Sequence, residues 1–169
     1  VLGCEFEPTR FYLAPGGGAE QRPQEWWQAF CKASRRLAQR LPAEVGQAAA
    51  LSCTTQWSGT VPVDAQGEPL SDAIIWMDTR GAPHVRELVY GRINLEGYDP
   101  GKLATWIRLS GGAPGRAGKD PIAHILYLKH ERPEIYRATY KFLEPKDYLN
   151  LRLTGIFAAT YDSISLHWL

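Results

Sequence analysis

Hydrophobic and polar positions change their spacing several times along this chain. Trp26, Trp27, Phe30, Leu37 and Leu41 recur at helical spacing, behind a Pro23 suited to a first helical turn and ahead of Pro42, which closes the segment. The paired tryptophans read as core rather than as a stacking platform for bases. Residues 48–55 then form a short apolar run, and residues 58–64 alternate, with Val61 and Val63 on one face. Gln66-Gly67 is a turn signal, and residues 73–77 form another apolar run. Three closely spaced strands, with a tight turn between the second and third, predict a partly antiparallel sheet.

The spacing next predicts a helix over about 81–90 and, within glycine-rich residues 91–120, a short helix around 102–109. Pro121 opens a helix through Lys129 that carries Ile122, Ile125, Leu126 and Leu128. A helical turn follows at Pro133 and a brief strand at 142–143. A helix over 145–153 ends on Gly155 as its C-cap. Residues 157–161 read as a last strand. Residues 1–22 read as irregular, with the breaker run Pro15-Gly16-Gly17-Gly18 as a loop. Helices and strands alternate, which points to an α/β layered domain.

Composition narrows the function classes. Hydrophobic residues make up 44% and charged residues 22% of 169, a globular balance. The net charge is +1 with no basic block, so nucleic acid is not an expected partner. No stretch of 18 apolar residues predicts a membrane span, and no secretory leader is read at the start. Cys4, Cys31 and Cys53 are odd in number and widely spaced. They read as reduced thiols of a cytoplasmic protein, with Cys31 and Cys53 packing as small apolar groups.

Candidate chemistry gathers at the expected strand ends, where α/β sheets carry their ligand crevices. Gln56 can donate and accept together, while Trp57 and Trp76 offer flat apolar faces with an N–H at the edge. Asp78 accepts from hydroxyls, and Arg80 presents a fixed fork of donors. Together these suit a polyhydroxylated ligand. Bland readings stand beside them. Trp76 is equally a core residue. Asp78 and Arg80 pair as a structural ion pair with Asp78 as an N-cap, the favoured reading for Arg80. Asp64 reads as a hairpin turn residue and Asp147 as a helix brace. Asp162 and Ser163 line a cleft or form a turn. His84, His124, His130 and His167 are scattered, without metal-ligand spacing. Residues 112–119 end in Gly-Lys, but Asp120 stands where a P-loop needs Ser or Thr, so this is read as a mobile loop, with Lys119 near a phosphate as the lesser reading.

Three blocks in order carry a resemblance. Residues 52–70 run Ser-Cys-Thr-Thr-Gln-Trp-Ser-Gly-Thr-Val-Pro-Val-Asp-Ala-Gln-Gly-Glu-Pro-Leu, followed at 73–80 by Ala-Ile-Ile-Trp-Met-Asp-Thr-Arg. Lys146-Asp147-Tyr148-Leu149 precedes Leu153-Thr154-Gly155 and then Thr160-Tyr161-Asp162-Ser163-Ile164-Ser165. A helix over 126–136 runs into Glu-Arg-Pro-Glu-Ile-Tyr. Over residues 20–169 this resembles the N-terminal domain of the FGGY carbohydrate kinases, of the xylulokinase and glycerol kinase kind.

The resemblance implies a ribonuclease H-like fold of the actin and sugar-kinase type, a mixed sheet flanked by helices. It implies an incomplete N-terminal domain over 1–169 with an eroded start over 1–22 and the C-terminal domain absent. The implied activity is ATP-dependent phosphorylation of a ketose or polyol, with ATP and Mg2+ as cofactors of the complete protein and an inactive chain on its own. Gln56, Trp57 and Ser58 match the family's sugar-contact loop, and Trp76 matches a substrate-contacting Trp of glycerol kinases. Asp78 and Arg80 complete the expected substrate set, and no catalytic residue is assigned. Xylulokinases show Gln-Met-His at the loop, so Trp57-Ser58 departs from them. Gly3 to Arg10 reads as the remnant of a phosphate loop in which Glu7 replaces a Gly and Pro8 removes an amide donor. The alternatives are a non-catalytic sugar-binding or regulatory relative and, third, an interaction module; homodimerisation is left open.

Overall fold

A computed structural model describes residues 1–168. Two antiparallel pairings open the fold: β1 (Tyr12–Ala14) with β2 (Gly18–Gln21), joined by a 3-10 turn over Pro15–Gly17, and β2 with β4 (Ala73–Ile74). A second sheet pairs β3 (Val61–Val63) with β5 (Lys141–Leu143), Val61 opposite Leu143. Thr60 and Ile74 exchange both backbone hydrogen bonds, at 2.8 and 3.0 Å, and stitch the two sheets together. All strand pairings among the described residues are antiparallel, where a mixed sheet was expected.

Prolines mark most helix starts, since the first turn has no use for an amide donor. α1 (Pro23–Arg40), α2 (Pro42–Gly46), α4 (Pro100–Ser110), α5 (Pro121–Glu131), α6 (Pro133–Ala138) and α7 (Pro145–Thr154) all begin on one. Between them lies α3 (Ala82–Val89), and α8 (Tyr161–Ile164) follows α7. Gly155, at φ 72°, caps α7 as expected.

The core has three parts. Val61, Val63, Ala73, Leu143, Tyr148 and Leu151 form the largest, against which Trp26 packs edge-on over the Tyr148 ring at 6.5 Å. Ile74, Leu128 and Ile135 form a second, and Val85, Ile122 and Ala123 a third. Trp26 thus serves the core, and Trp27 stacks on Phe30 at 5.5 Å. No helix among the described residues is long and apolar enough to cross a membrane.

Four expectations change. Residues 48–55 form no strand, and most of them are exposed, because no neighbouring backbone pairs with them. Residues 157–161 form no strand either, and α8 begins at Tyr161. Residues 1–22 are not irregular throughout, for the β1–β2 hairpin occupies Tyr12–Gln21. β4 takes β2 rather than β3 as its main partner. The turn after β3 is nonetheless the one read from sequence: Asp64 Oδ1 accepts from the Gln66 and Glu68 amides, both at 2.9 Å, and Gly67 adopts φ 84°.

Candidate functional site

The chain running into β3 and the turn leaving β4 end side by side, because Thr60 pairs with Ile74. That pairing brings Gln56, Trp57 and Ser58 to the same groove as Trp76, with Lys119 from the loop before α5 as the fifth lining residue. The groove is about 400 Å3 in volume, within the usual size of small-molecule sites. Trp57 is 61% and Trp76 47% exposed, so neither is a core residue.

The backbone beneath is tightly held. Ser58 sits at φ 59°, a left-handed conformation uncommon for a residue with a side chain. Gly59 follows because a Cβ there would lie 2.5 Å from Pro145 Cγ. The Gly59 amide donates to Glu144 Oε2 at 3.0 Å, and Gln56 Nε2 donates to Gln21 Oε1 at 2.6 Å.

Asp78 and Arg80 do not line this groove. Asp78 is 1% exposed, and its carboxylate accepts from the Ala19 amide at 2.9 Å, the Arg80 amide at 2.8 Å and the Arg80 guanidinium at 2.7 and 2.9 Å. Arg80 also donates to Glu20 and, at 3.1 Å, to the Tyr127 hydroxyl, with its guanidinium 4.4 Å from the Tyr127 ring centre. Its carboxylate partners hold the guanidinium pKa above its ordinary value against the opposing effect of burial. All three guanidinium nitrogens donate within the protein. Asp78 and Arg80, expected in the substrate set, form the ion pair that was the favoured reading for Arg80, a buried brace joining β2, the turn after β4, and α5.

A second cavity of about 490 Å3 adjoins the groove and shares Gln56 and Trp57 with it. Its far wall holds Glu144, Lys146, Asp162 and Ser163. Glu144 is 3% exposed, and burial pushes its carboxyl up to about 8, despite the Gly59 amide pulling it down. Its Oε1 is buried without a partner. Asp147 braces α7 by accepting from Ser163 Oγ at 3.0 Å, while Lys146 pairs with Asp162. Asp162 and Ser163 thus line a cleft and form a short helical turn at once.

The sequence reading missed Glu144 as a site-lining residue and gave Lys119 only a lesser place near a phosphate. The signal for Glu144 was an acidic residue closing the apolar run Phe142-Leu143 directly before Pro145. Lys119 carried no spacing signal beyond the rejected Gly-Lys pair.

Neither glycine-containing segment fits a nucleotide phosphate. Within residues 3–10, Glu5 and Glu7 bind the exposed cations of α1: Arg40 to Glu5 at 2.7 Å, Arg36 to Glu7 at 2.8 Å and Lys32 to Glu7 at 3.4 Å. These cations draw the Glu7 carboxyl below its ordinary value, led by Arg36. This acidic strap is the reverse of an anion-binding loop. In the loop over 112–119, the Gly115 amide already donates to Asp120 Oδ2 at 2.7 Å. Among the described residues, no three His, Cys, Asp or Glu side chains converge as a metal site. No phosphoryl-transfer step is assigned to these residues.

What the site can do is hold a ligand with both apolar faces and hydroxyls, between two indoles and a rim of amide, hydroxyl and ammonium groups. Known proteins are similar to most of this chain. The chain is 34% identical over 143 residues to the xylulose kinase of Streptomyces rubiginosus, covering 85% of this chain and 27% of that protein. It is 31% identical over 142 residues to the erythritol kinase of Brucella abortus, covering 84% and 25%. The crystal structure of a protein described as xyloylose kinase from Brucella ovis superposes with a TM-score of 0.83 at 22% identity, over 98% of this chain and 31% of that one. Such a likeness carries the ribonuclease H-like fold of the sugar kinases. The chain spans less than a third of the length of these relatives. Residues 7–168 match the family described as "FGGY family of carbohydrate kinases, N-terminal domain", and the chain belongs to that family.

Proposed function

We propose that this chain is the sugar-holding lobe of an ATP-dependent kinase acting on a ketose or polyol, of the xylulokinase kind. The observation that carries this reading is the meeting of Trp57 and Trp76 with Gln56 and Ser58 around one groove, from segments about twenty residues apart. Indole faces take the C–H side of a sugar, and the amide and hydroxyl take its hydroxyls. The relatives' names, xylulose kinase and erythritol kinase, support a small polyhydroxylated substrate. Nucleotide and Mg2+ belong, in this reading, to the part of those longer relatives that the chain does not span. Its cysteines Cys4, Cys31 and Cys53 are unpaired, which supports a cytoplasmic setting.

The acidic strap over residues 3–10 favours a second reading, a sugar-binding relative that does not transfer phosphate. Both readings require the groove to bind sugar. Tryptophan fluorescence titrated with D-xylulose, xylitol, erythritol and glycerol tests this. Saturable quenching is expected, weakened about tenfold or more by Trp76→Ala or Gln56→Ala, as for central contacts of an interface. Affinity that both substitutions leave unchanged removes the site. Sugar-dependent ADP formation by the polypeptide that carries this chain then selects the first reading, and sugar binding without it selects the second.

A further inference from the structure

Of the five residues lining the groove, Lys119 alone carries a charge, and no carboxylate lines it. Lys119 takes part in none of the ion pairs among the described residues. Its neighbour Asp120 is turned into its own loop, where Oδ2 accepts from the Gly115 amide at 2.7 Å and from Trp168 Nε1 at 3.4 Å. The partner Lys119 does have is the Trp76 ring, whose centre lies 5.6 Å from Nζ, near the outer limit of a cation–π contact.

The ammonium is not there by free wandering of a loop. Gly118 adopts φ 81°, and a Cβ at that position would lie 2.4 Å from the Ala82 amide nitrogen and 2.9 Å from the Thr79 carbonyl oxygen. Only glycine permits this approach, and it seats the loop against the turn that also carries Trp76. The same seating sets Lys119 at the Trp76 edge of the groove.

A neutral polyol is satisfied by neutral donors and acceptors. A lone cation at one end of an aromatic slot adds something different: a charge-assisted hydrogen bond to an anionic end group, and repulsion of a cationic one. We propose that this groove selects sugar acids, polyhydroxylated chains ending in a carboxylate, and that Lys119 is the residue that reads that carboxylate. The proposal rests on the sugar-holding reading of the groove and departs from the neutral ketose or polyol named above in the end group of the substrate.

Three probes with one carbon skeleton isolate the charge: D-gluconate, D-glucitol and 1-amino-1-deoxy-D-glucitol. Titrated into the 169-residue chain by calorimetry at low salt, gluconate is expected to bind about tenfold more tightly than glucitol, the scale of a hydrogen bond to a charged group. The amine is expected to bind more weakly than glucitol. Lys119→Gln should bring the gluconate-to-glucitol ratio close to one. Lys129→Gln, which removes an exposed cation of α5 outside the groove, should leave the ratio in place. Lys119 is exposed, so the variant keeps its fold, which a thermal melt checks.

Equal binding of gluconate and glucitol overturns the proposal and leaves the sugar-holding reading standing. A preference that survives in Lys119→Gln overturns it too. Tight binding of glucitol 6-phosphate, with gluconate no better than glucitol, assigns Lys119 to a phosphoryl end instead. Binding of no probe, together with none of the neutral sugars, removes both readings.

Discussion

Trp76 and Asp78 stand two residues apart on one turn, and the structure uses them in opposite ways. Trp76 is 47% exposed and faces the groove, while Asp78 is 1% exposed and closed off by Arg80 and two backbone amides. A motif that reads as a single substrate cluster is divided between a surface and a brace. The brace is what allows the surface to exist. Asp78 ties the amide of Ala19, within β2, to the turn that leads into α3, and so fixes the turn on which the Trp76 indole stands out. Polar groups that are fully satisfied within the protein hold shape, whereas half-exposed aromatic and polar groups remain available to a ligand.

The largest expected effect separates these two halves. Asp78→Ala leaves the Arg80 guanidinium largely buried with Glu20 as its one carboxylate partner, and removing one partner of such a pair costs about 3–5 kcal/mol. Urea unfolding should show this loss, and a loss below about 1 kcal/mol would mean that the brace is not what holds the turn.

Next in size is a pH effect at the wall behind the groove. The Glu144 carboxyl is held up at about 8 in the folded chain, so between its ordinary value and about 8 the folded state binds more protons than the unfolded one. Stability from Glu144 is therefore full at low pH and falls as pH rises, by at most about 1.4 kcal/mol per pH unit. His124, buried and held down at about 4, has the opposite sign, for its folded form binds fewer protons and its contribution rises with pH up to about 6.5. Above pH 7 the Glu144 effect stands clear of it. Urea midpoints should fall from pH 7 to 8, and Glu144→Gln, which keeps the neutral shape, should flatten that fall. An unchanged slope in the variant would place the titration elsewhere.

The smallest expected effect sharpens the contrast from the other side. Trp76→Ala should lower stability by less than about 1 kcal/mol, as for an exposed position away from the core, while weakening sugar binding as described above. A collapse of the fold in this variant would make Trp76 a structural residue and erase the distinction.

Much of this arrangement was legible from the residues. The prolines placed α1, α5, α6 and α7, and Asp64 with Gly67 placed the turn after β3, because these residues act locally. Gln56, Trp57, Ser58 and Trp76 were read as one site and share one groove. What failed needed distant partners. Residues 48–55 have the composition of a strand but no adjacent edge to pair with, and β3 finds its partner in β5 about eighty residues later. The β1–β2 hairpin was hidden by its glycines, since Gly18 and Ala19 carry little pattern even when buried. Arg80 and Lys119 look alike in sequence as lone cations; only the surrounding carboxylates show that one is tied down and the other faces the groove.

The most direct test of the sugar-holding groove follows the six indole N–H signals of the chain by nitrogen-15 NMR during titration with D-xylulose, xylitol, erythritol, glycerol and D-gluconate. Saturable shifts of Trp57 and Trp76 are expected with at least one of these ligands, while Trp26, Trp27, Trp106 and Trp168 stay in place. Shifts confined to those four, or no shift at Trp57 and Trp76 with any ligand, would contradict the sugar-holding groove.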